Sequence, residues 1–453
     1  MKPDSTQDVP VVSFYDALRF WLQLGFISFG GPAGQIAIMH RELVEKRRWI
    51  SEKRFLHALN FCMLLPGPEA QQLATYLGWL MHRTWGGVVA GALFVLPSLV
   101  LLIVLSWVYM AYGEQPIVAG IFYGIKPAVA AIVLHALHRI ASKSLGHPLI
   151  APVPWALAAM SFIAVWAFNI AFPWVVLAAL LVGVVLNKIA PGALGNGSGH
   201  AAKTDGAHMA ALIDDDTPTP LHARFKPSRL ALVLAAGVVL WLLPMALLFS
   251  YYGWQGTLTQ IGWFFTKAAL LTFGGAYAVL PYVNQAAVEH YQWLSVLQMM
   301  DGLALGETTP GPLIIIVAFV GFVASWGKAV MGPEALFLGA ALGACVATWF
   351  TFLPSFIFIL AGGPYVESTR GNLTLTAPLA AVTAAVVGVI ANLALFFIAA
   401  VAHPLGASGP IDWIALGMVL AAALALWVLK WGVIRVIAIA AVTGWLLRLL
   451  GVS

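Results

Sequence analysis

The chain has 453 residues, of which 61% are hydrophobic and only 9% charged, with a mean hydropathy of +0.91. Soluble domains carry about 25% charged residues, so a water-soluble globule is excluded and the lipid bilayer must be the solvent for most of this surface. The net charge of +5 resides in short loops between apolar runs, which points to membrane orientation rather than to nucleic-acid binding. In chain order, the first thirteen residues are polar and mixed in charge, without the basic stretch and cleavage site of a removed signal peptide. Apolar residues 14–48 and 54–82 follow, the first interrupted at Phe29-Gly30-Gly31-Pro32 and the second at Pro66-Gly67-Pro68. Long runs that can span a bilayer are predicted at 85–110, 116–140, 229–250, 334–361 and 373–401. Shorter apolar helices are predicted at 152–168, 172–187, 412–428 and 433–450. The 18 Trp and 11 Tyr suit interfacial belts. Cys62 and Cys345 both lie in apolar segments, so neither a disulfide framework nor a cysteine metal site is expected.

A shift of 244 positions superposes the chain on itself. Phe29-Gly30-Gly31 falls on Phe273-Gly274-Gly275, Pro66-Gly67-Pro68 on Pro310-Gly311-Pro312, Trp49 and Ser51 on Trp293 and Ser295, and Phe20 and Glu45 on Phe264 and Glu289. Leu96-Pro97-Ser98 matches Leu353-Pro354-Ser355 after a short insertion. The reading is an internal duplication: an N-terminal transmembrane repeat over 1–187, a flexible cytoplasmic linker over 188–228 rich in Gly, Ser, Ala, Pro and Asp, and a C-terminal repeat over 229–453. His200, His208 and His222 in the linker are read as solvated side chains rather than as a metal sensor.

Proline removes a backbone donor and glycine permits sharp reversal, so the repeated signatures break their helices. Inside a membrane such breaks are tolerated only where protein or a watery cavity covers the bare backbone. Two re-entrant hairpins per half are therefore expected, kinked spanning helices being the alternative. Residues 40–54 hold six Lys or Arg (Arg41, Lys46, Arg47, Arg48, Lys53 and Arg54) and the equivalent 284–298 hold none. Equivalent loops of opposite basic bias belong on opposite sides of the membrane. With five crossings between the copies, the second half is inverted. The expected fold class is an all-α polytopic membrane protein of two inverted homologous halves, with discontinuous, re-entrant helices at the Phe-Gly-Gly and Pro-Gly-Pro motifs. That is the build of secondary transporters, whose binding sites lie near the midplane.

Half-helices that start in mid-membrane present free N–H groups and a positive dipole end, a combination that binds anions. The candidate substrate site combines the tips Gly30, Gly31, Gly67, Gly274, Gly275 and Gly311 with the polar side chains Ser28, Gln35, Gln71, Gln72, Thr272, Thr308 and Thr309. Amides and hydroxyls suit an oxyanion with several acceptor oxygens; a cation would want more carboxylates. Lys126 and Lys267 lie in apolar segments, where an unpaired charge costs about 2.5–3.5 kcal/mol. They either attract the anion or pair with Glu69, Asp301 or Glu307, or reach for an interface. Glu69 and Glu307 flank the Pro-Gly-Pro tips without being repeat equivalents, since position 69 matches Leu313 and 307 matches Met63. Such asymmetry is expected of a proton-handling carboxylate; a buried structural hydrogen bond is the alternative. Gly87-x-x-x-Gly91 and Gly339-x-x-x-Gly343 are read as close helix packing.

At Phe29-Gly30-Gly31-Pro32, Leu65-Pro66-Gly67-Pro68-Glu69-Ala70-Gln71-Gln72 and Gly306-Glu307-Thr308-Thr309-Pro310-Gly311-Pro312 the chain resembles the chromate ion transporter family in its long, two-domain form. The resemblance runs from about residue 14 to 400. It implies efflux of chromate across the bacterial inner membrane, driven by the proton gradient or the membrane potential, with sulfate as a competing dianion. The partners expected are a chromate or sulfate oxyanion and the lipid bilayer, with no cofactor and no nucleic acid, and a homodimer is compatible with the sequence. Rival readings are a sulfate or other oxyanion carrier and a passive anion channel. An intramembrane enzyme is disfavoured: Gly406-Ala407-Ser408-Gly409 has no histidine after it in the chain.

Overall fold

The computed structural model describes residues 12–190, 192, 211–214, 217, 220–273, 275–368, 376–406 and 409–451. Long apolar segments without a polar face have no way to satisfy their backbone in lipid except as helices, and helices are what they form. The N-terminal half contains α1 (Phe14–Ile27), α2 (Gly31–His40), α3 (Glu52–Leu64), α4 (Glu69–Tyr112), α5 (Pro116–Ser144), α6 (Pro152–Phe168) and α7 (Phe172–Ile189). A single helix, α8 (Pro227–Tyr252), leads to the second half: α9 (Thr257–Leu271), α10 (Ala276–Asn284), α11 (Val296–Thr308), α12 (Ile316–Gly327), α13 (Leu336–Ser368), α14 (Thr376–Ala402), α15 (Trp413–Trp427) and α16 (Val433–Leu449). Among the described residues, six helices are long and apolar enough to cross a membrane, so the molecule is a multi-pass membrane protein. α8 is the most lipid-like of them, with Leu232, Leu242 and Leu243 more than half exposed along its length.

The duplication extends into backbone detail. α2 and α10 each run into a wide π-helical turn, Arg41–Lys46 in one half and Gln285–His290 in the other, and these ranges differ by the repeat spacing of 244. Arg48 and Gln292, one spacing apart, both take φ of 52° just beyond. Ser51 and Ser295 then cap α3 and α11 by accepting a hydrogen bond from the backbone three residues on. The 44-residue α4 is two helices joined at His82 and Arg83, where the backbone leaves helical angles. Its short first arm folds back on the longer second arm, where Gly78 and Gly86 approach each other and Gly87 meets Thr75 and Trp79. α12 and α13 form the equivalent hairpin, with Gly321 and Gly343 at the crossing. The small-residue spacings in the sequence thus close these hairpins.

The halves interlock reciprocally. α5 packs against α15 and α16, and its second-half counterpart α14 packs against α6 and α7. α13 starts beside the end of α4, where Trp107 and Phe337 meet at 6.1 Å. It ends beside α3, where Glu367 lies 3.8 Å from Arg54. The equivalent long arms α4 and α13 therefore run in opposite directions. In the segment between the halves, Ile213 bridges to Ile50, Ala223 is fully buried and His222 lies 3.0 Å from the Trp79 carbonyl. His200 and His208 lie outside the described residues.

Candidate functional site

Four helix breaks carry the site. The chain leaves α1 at Ser28 and re-enters helix at Gly31, with Gly30 (φ 90°) as left-handed N-cap and Gly31 at φ 71°. It leaves α9 at Thr272 and re-enters at Ala276 after Gly275 (φ 96°); Gly274 lies outside the described residues. The Pro-Gly-Pro tips turn at Gly67 (φ 123°) and Gly311 (φ 96°). A side chain is strained at such angles. Past the tips, α4 starts directly at Glu69, while a short 3-10 turn, Leu313–Ile315, precedes α12.

The breaks meet in pairs, each drawn from both halves. The Gly311 N–H donates to the Ser28 carbonyl at 2.7 Å, and the Gly67 N–H donates to the Thr272 carbonyl at 2.7 Å. Ser28 and Thr272 are one repeat spacing apart, as are Gly67 and Gly311, so the two bonds are equivalents. The Leu-Pro-Ser motifs close the same swap. Ser98 donates to the Pro310 carbonyl, and Ser355 stands 3.4 Å from Gln72, whose amide nitrogen donates to Pro66 at 2.7 Å. An unsatisfied peptide group costs several kcal/mol in a lipid-like interior. These cross-half bonds satisfy peptide groups that the breaks would otherwise leave bare in the protein interior.

The polar side chains foreseen in the sequence gather around the tips. Ser28, Gln35, Gln71, Gln72 and Thr272 are fully buried and Thr309 nearly so. Gln35 donates to the Gly311 carbonyl and, at 3.4 Å, to Ser28; Gln71 reaches Thr75 at 3.1 Å. Because the NH2 groups of Gln35 and Gln72 face carbonyls, the ends left over are amide oxygens, which accept rather than donate. The two side chains brace the tips. The Ser28 hydroxyl is buried and keeps a donor with no partner among the described residues. Gly30 and Gly31 have open space where a Cβ would stand, and the first amides of α2 are those a helix start leaves unpaired. Thr272, Thr308 and Thr309 each bond a carbonyl of their own helix.

Of the charged groups, Glu69 opens α4 and faces Gly275: a Cβ built there would sit 3.8 Å from its Oε1. Glu307, 8% exposed, accepts from Tyr277 at 2.5 Å. The Arg139 guanidinium lies 5.6 Å from the centre of that tyrosine ring. Lys126 pairs with Asp301 at 3.2 Å, and Tyr109 donates to the other Asp301 oxygen at 2.9 Å. Lys267 stands apart, 5.8 Å over the Trp263 ring. Sequence reasoning did not single out Arg139, Tyr277, Tyr109, Glu367 or Tyr76, whose hydroxyl donates to Glu367 at 2.5 Å, and it took Arg54 only as part of the basic cluster at 40–54. The only sequence cue for the others is a charge or tyrosine within an apolar run.

The fold and its paired breaks define a multi-pass membrane protein of two like halves around a buried polar centre. The chain belongs to the chromate transporter family, whose model matches residues 15–184 and 259–445, one stretch in each half. It is 31% identical over 387 residues to the chromate transport protein of Cupriavidus metallidurans, covering 85% of this chain and 83% of that one. It is 34% identical over 383 residues to the chromate transport protein of Pseudomonas aeruginosa, covering 84% and 80%. An uncharacterized transporter of Bacillus subtilis is 26% identical over 177 residues, 38% of this chain but 96% of its own; it has the length of a single half. No solved structure matches the chain.

Proposed function

We propose that the protein is a secondary transporter that exports chromate across the bacterial inner membrane, coupled to the proton gradient or the membrane potential. The observation that carries this reading is the reciprocal pairing of four chain breaks, each pair joining one half to the other by a buried backbone hydrogen bond. The antiparallel course of α4 and α13 supports an inverted repeat, and inverted repeats with broken helices are suited to alternating access around a central site. The breaks are then tips of re-entrant hairpins. The anion is held by the Ser28 hydroxyl and the α2 amides at Gly30 and Gly31, with Gly274 and Gly275 as their counterparts. Gln35, Gln71, Gln72, Gly67, Gly311, Thr272, Thr308 and Thr309 fix the shape of the tips. Arg139 supplies the cationic fork that a multi-oxygen anion prefers. Glu307, joined to Arg139 through Tyr277, carries the coupling proton, with Glu69 as the second carboxylate. Lys126 holds the halves together through Asp301, and Lys267 contributes positive potential at longer range.

Sulfate is the competing substrate, because hydroxyl, amide and guanidinium donors do not separate two tetrahedral dianions by charge or shape. Uptake of labelled chromate and of sulfate into proteoliposomes, with and without an imposed pH gradient or potential, tests the proposal. Concentrative chromate flux that collapses with the gradients is expected. Flux that only follows the anion gradient would identify a channel, and gradient-driven sulfate flux indifferent to chromate would reassign the substrate. The topology is tested by single cysteines at positions 48 and 292 in a background lacking Cys62 and Cys345: opposite-side labelling is expected, and same-side labelling would end the inverted reading.

A further inference from the structure

Away from the breaks, a cavity of about 50 Å³ lies where the α6–α7 connection meets α10, the following π-helical turn and α14. Its polar lining is Asn169, Asn284, Gln285, Glu289 and Asn392, four amides and one carboxylate, and no lysine or arginine is among its lining residues. Asn284 is 4% exposed, and its side-chain oxygen has no hydrogen-bond partner among the described residues. Gln285 is held in place by accepting from the Phe172 N–H at 3.3 Å. A buried acceptor without a donor is costly, and here it shares a cavity with a carboxylate that makes no ion pair within 4 Å among the described residues.

The other half shows what the same framework looks like when the carboxylate is met by a side chain of the protein itself. One repeat spacing back, Asn284 corresponds to His40, Gln285 to Arg41 and Glu289 to Glu45. There the His40 ring nitrogens lie 3.2 Å from Glu45 and 2.5 Å from Glu52. The second half keeps the carboxylate and replaces both basic residues by amides, which line the cavity with it.

We infer that this cavity binds a monovalent cation of the size of Na⁺ or K⁺, which takes the place of the histidine of the first half. The unpartnered Asn284 oxygen and the Glu289 carboxylate, which is exposed at the cavity rim, are the oxygen donors that suit a hard cation, the Gln285 oxygen being already engaged by the Phe172 N–H. A single carboxylate among neutral amides matches one positive charge, whereas a divalent ion would draw on more carboxylates. The cavity is too small for an organic ammonium such as choline. The site is separate from the oxyanion centre, so it stands or falls independently of the substrate assigned above.

The test is thermal unfolding of the purified full-length protein in detergent at fixed ionic strength, with NaCl or KCl replacing choline chloride. A saturable rise in Tm on the order of 1–2 °C is expected with the small ions. Glu289→Gln, at the rim of the cavity, should abolish it. Asn284→His, which restores the first half's pairing, should remove the ion dependence and raise Tm in choline. Equal Tm in all three salts, an undiminished response in Glu289→Gln, or a stronger response to millimolar Ca²⁺ would overturn the assignment. If Asn284→His fails to fold, Glu289→Gln decides the matter alone.

Discussion

Removing either member of the Lys126–Asp301 pair leaves the other charged and largely dry. Asp301 is 3% exposed and Lys126 19%, at a separation of 3.2 Å. Breaking a buried pair from one side costs about 3–5 kcal/mol, whereas replacing both partners by neutral groups is often close to neutral. With an unfolding entropy of about 2 cal/mol/K per residue, the 453-residue chain loses about 1 °C of Tm per kcal/mol. Lys126→Met and Asp301→Asn should therefore each lower Tm by about 3–5 °C, and the double variant should recover most of the loss. The assay is thermal unfolding by tryptophan fluorescence, with chromate flux measured on the same preparations. Flux should recover with stability in the double variant, since the proposed role of Lys126 is to join α5 to α11. Additive losses in the double variant would refute the pairing argument. Restored Tm with no flux would show that the lysine itself meets the anion.

The glycine tips are expected to differ in their tolerance of a side chain. Gly311→Ala carries a strained φ of 96° and meets Ser98, so it should destabilise by more than about 2 kcal/mol and abolish flux. Gly30→Ala, at φ 90° with open space around it, should cost about 1–2 kcal/mol of strain alone and remain monodisperse on size exclusion. Glu307→Gln should remove the pH dependence of chromate flux while preserving the fold, because Gln can still accept from Tyr277; a pH profile like that of the parent would refute its role as proton carrier. Burial, with Arg83 and Arg229 adding to it, lowers the pKa of His222 despite its bonds to the Trp79 and Leu80 carbonyls. A histidine held below its unfolded value favours the docked state above that value, and this contribution is lost as pH falls through the folded value. Limited proteolysis between the halves should accelerate from pH 7.5 to pH 5, and His222→Gln should flatten that response.

Much of the architecture was legible because it is written locally. Apolar length marks the helices, and a glycine or proline marks a break wherever it stands. A shift of 244 aligns Phe29-Gly30-Gly31 and Pro66-Gly67-Pro68 with their copies whatever the fold does with them. The basic excess at 40–54 against its absence at 284–298 carried the orientation of the halves as an expectation in the same way. The tip residues Ser28, Gln35, Gln72 and Thr272 could be named because polar side chains beside a break in an apolar segment are conspicuous.

What only the tertiary structure decided is which groups answer one another across the chain. Ser28 lies 283 positions from Gly311 and Gly67 lies 205 from Thr272, and no local pattern says that each tip takes a carbonyl from the opposite half. The direction of the glutamine amides, the engagement of Lys126 by Asp301 and the Arg139–Tyr277–Glu307 contact are likewise set by packing. The physical reason is that a helix break is a property of a few consecutive dihedrals. Satisfying its bare amides inside a membrane requires whatever polar group the folded chain brings within 3 Å, and that is decided by how the two halves interlock.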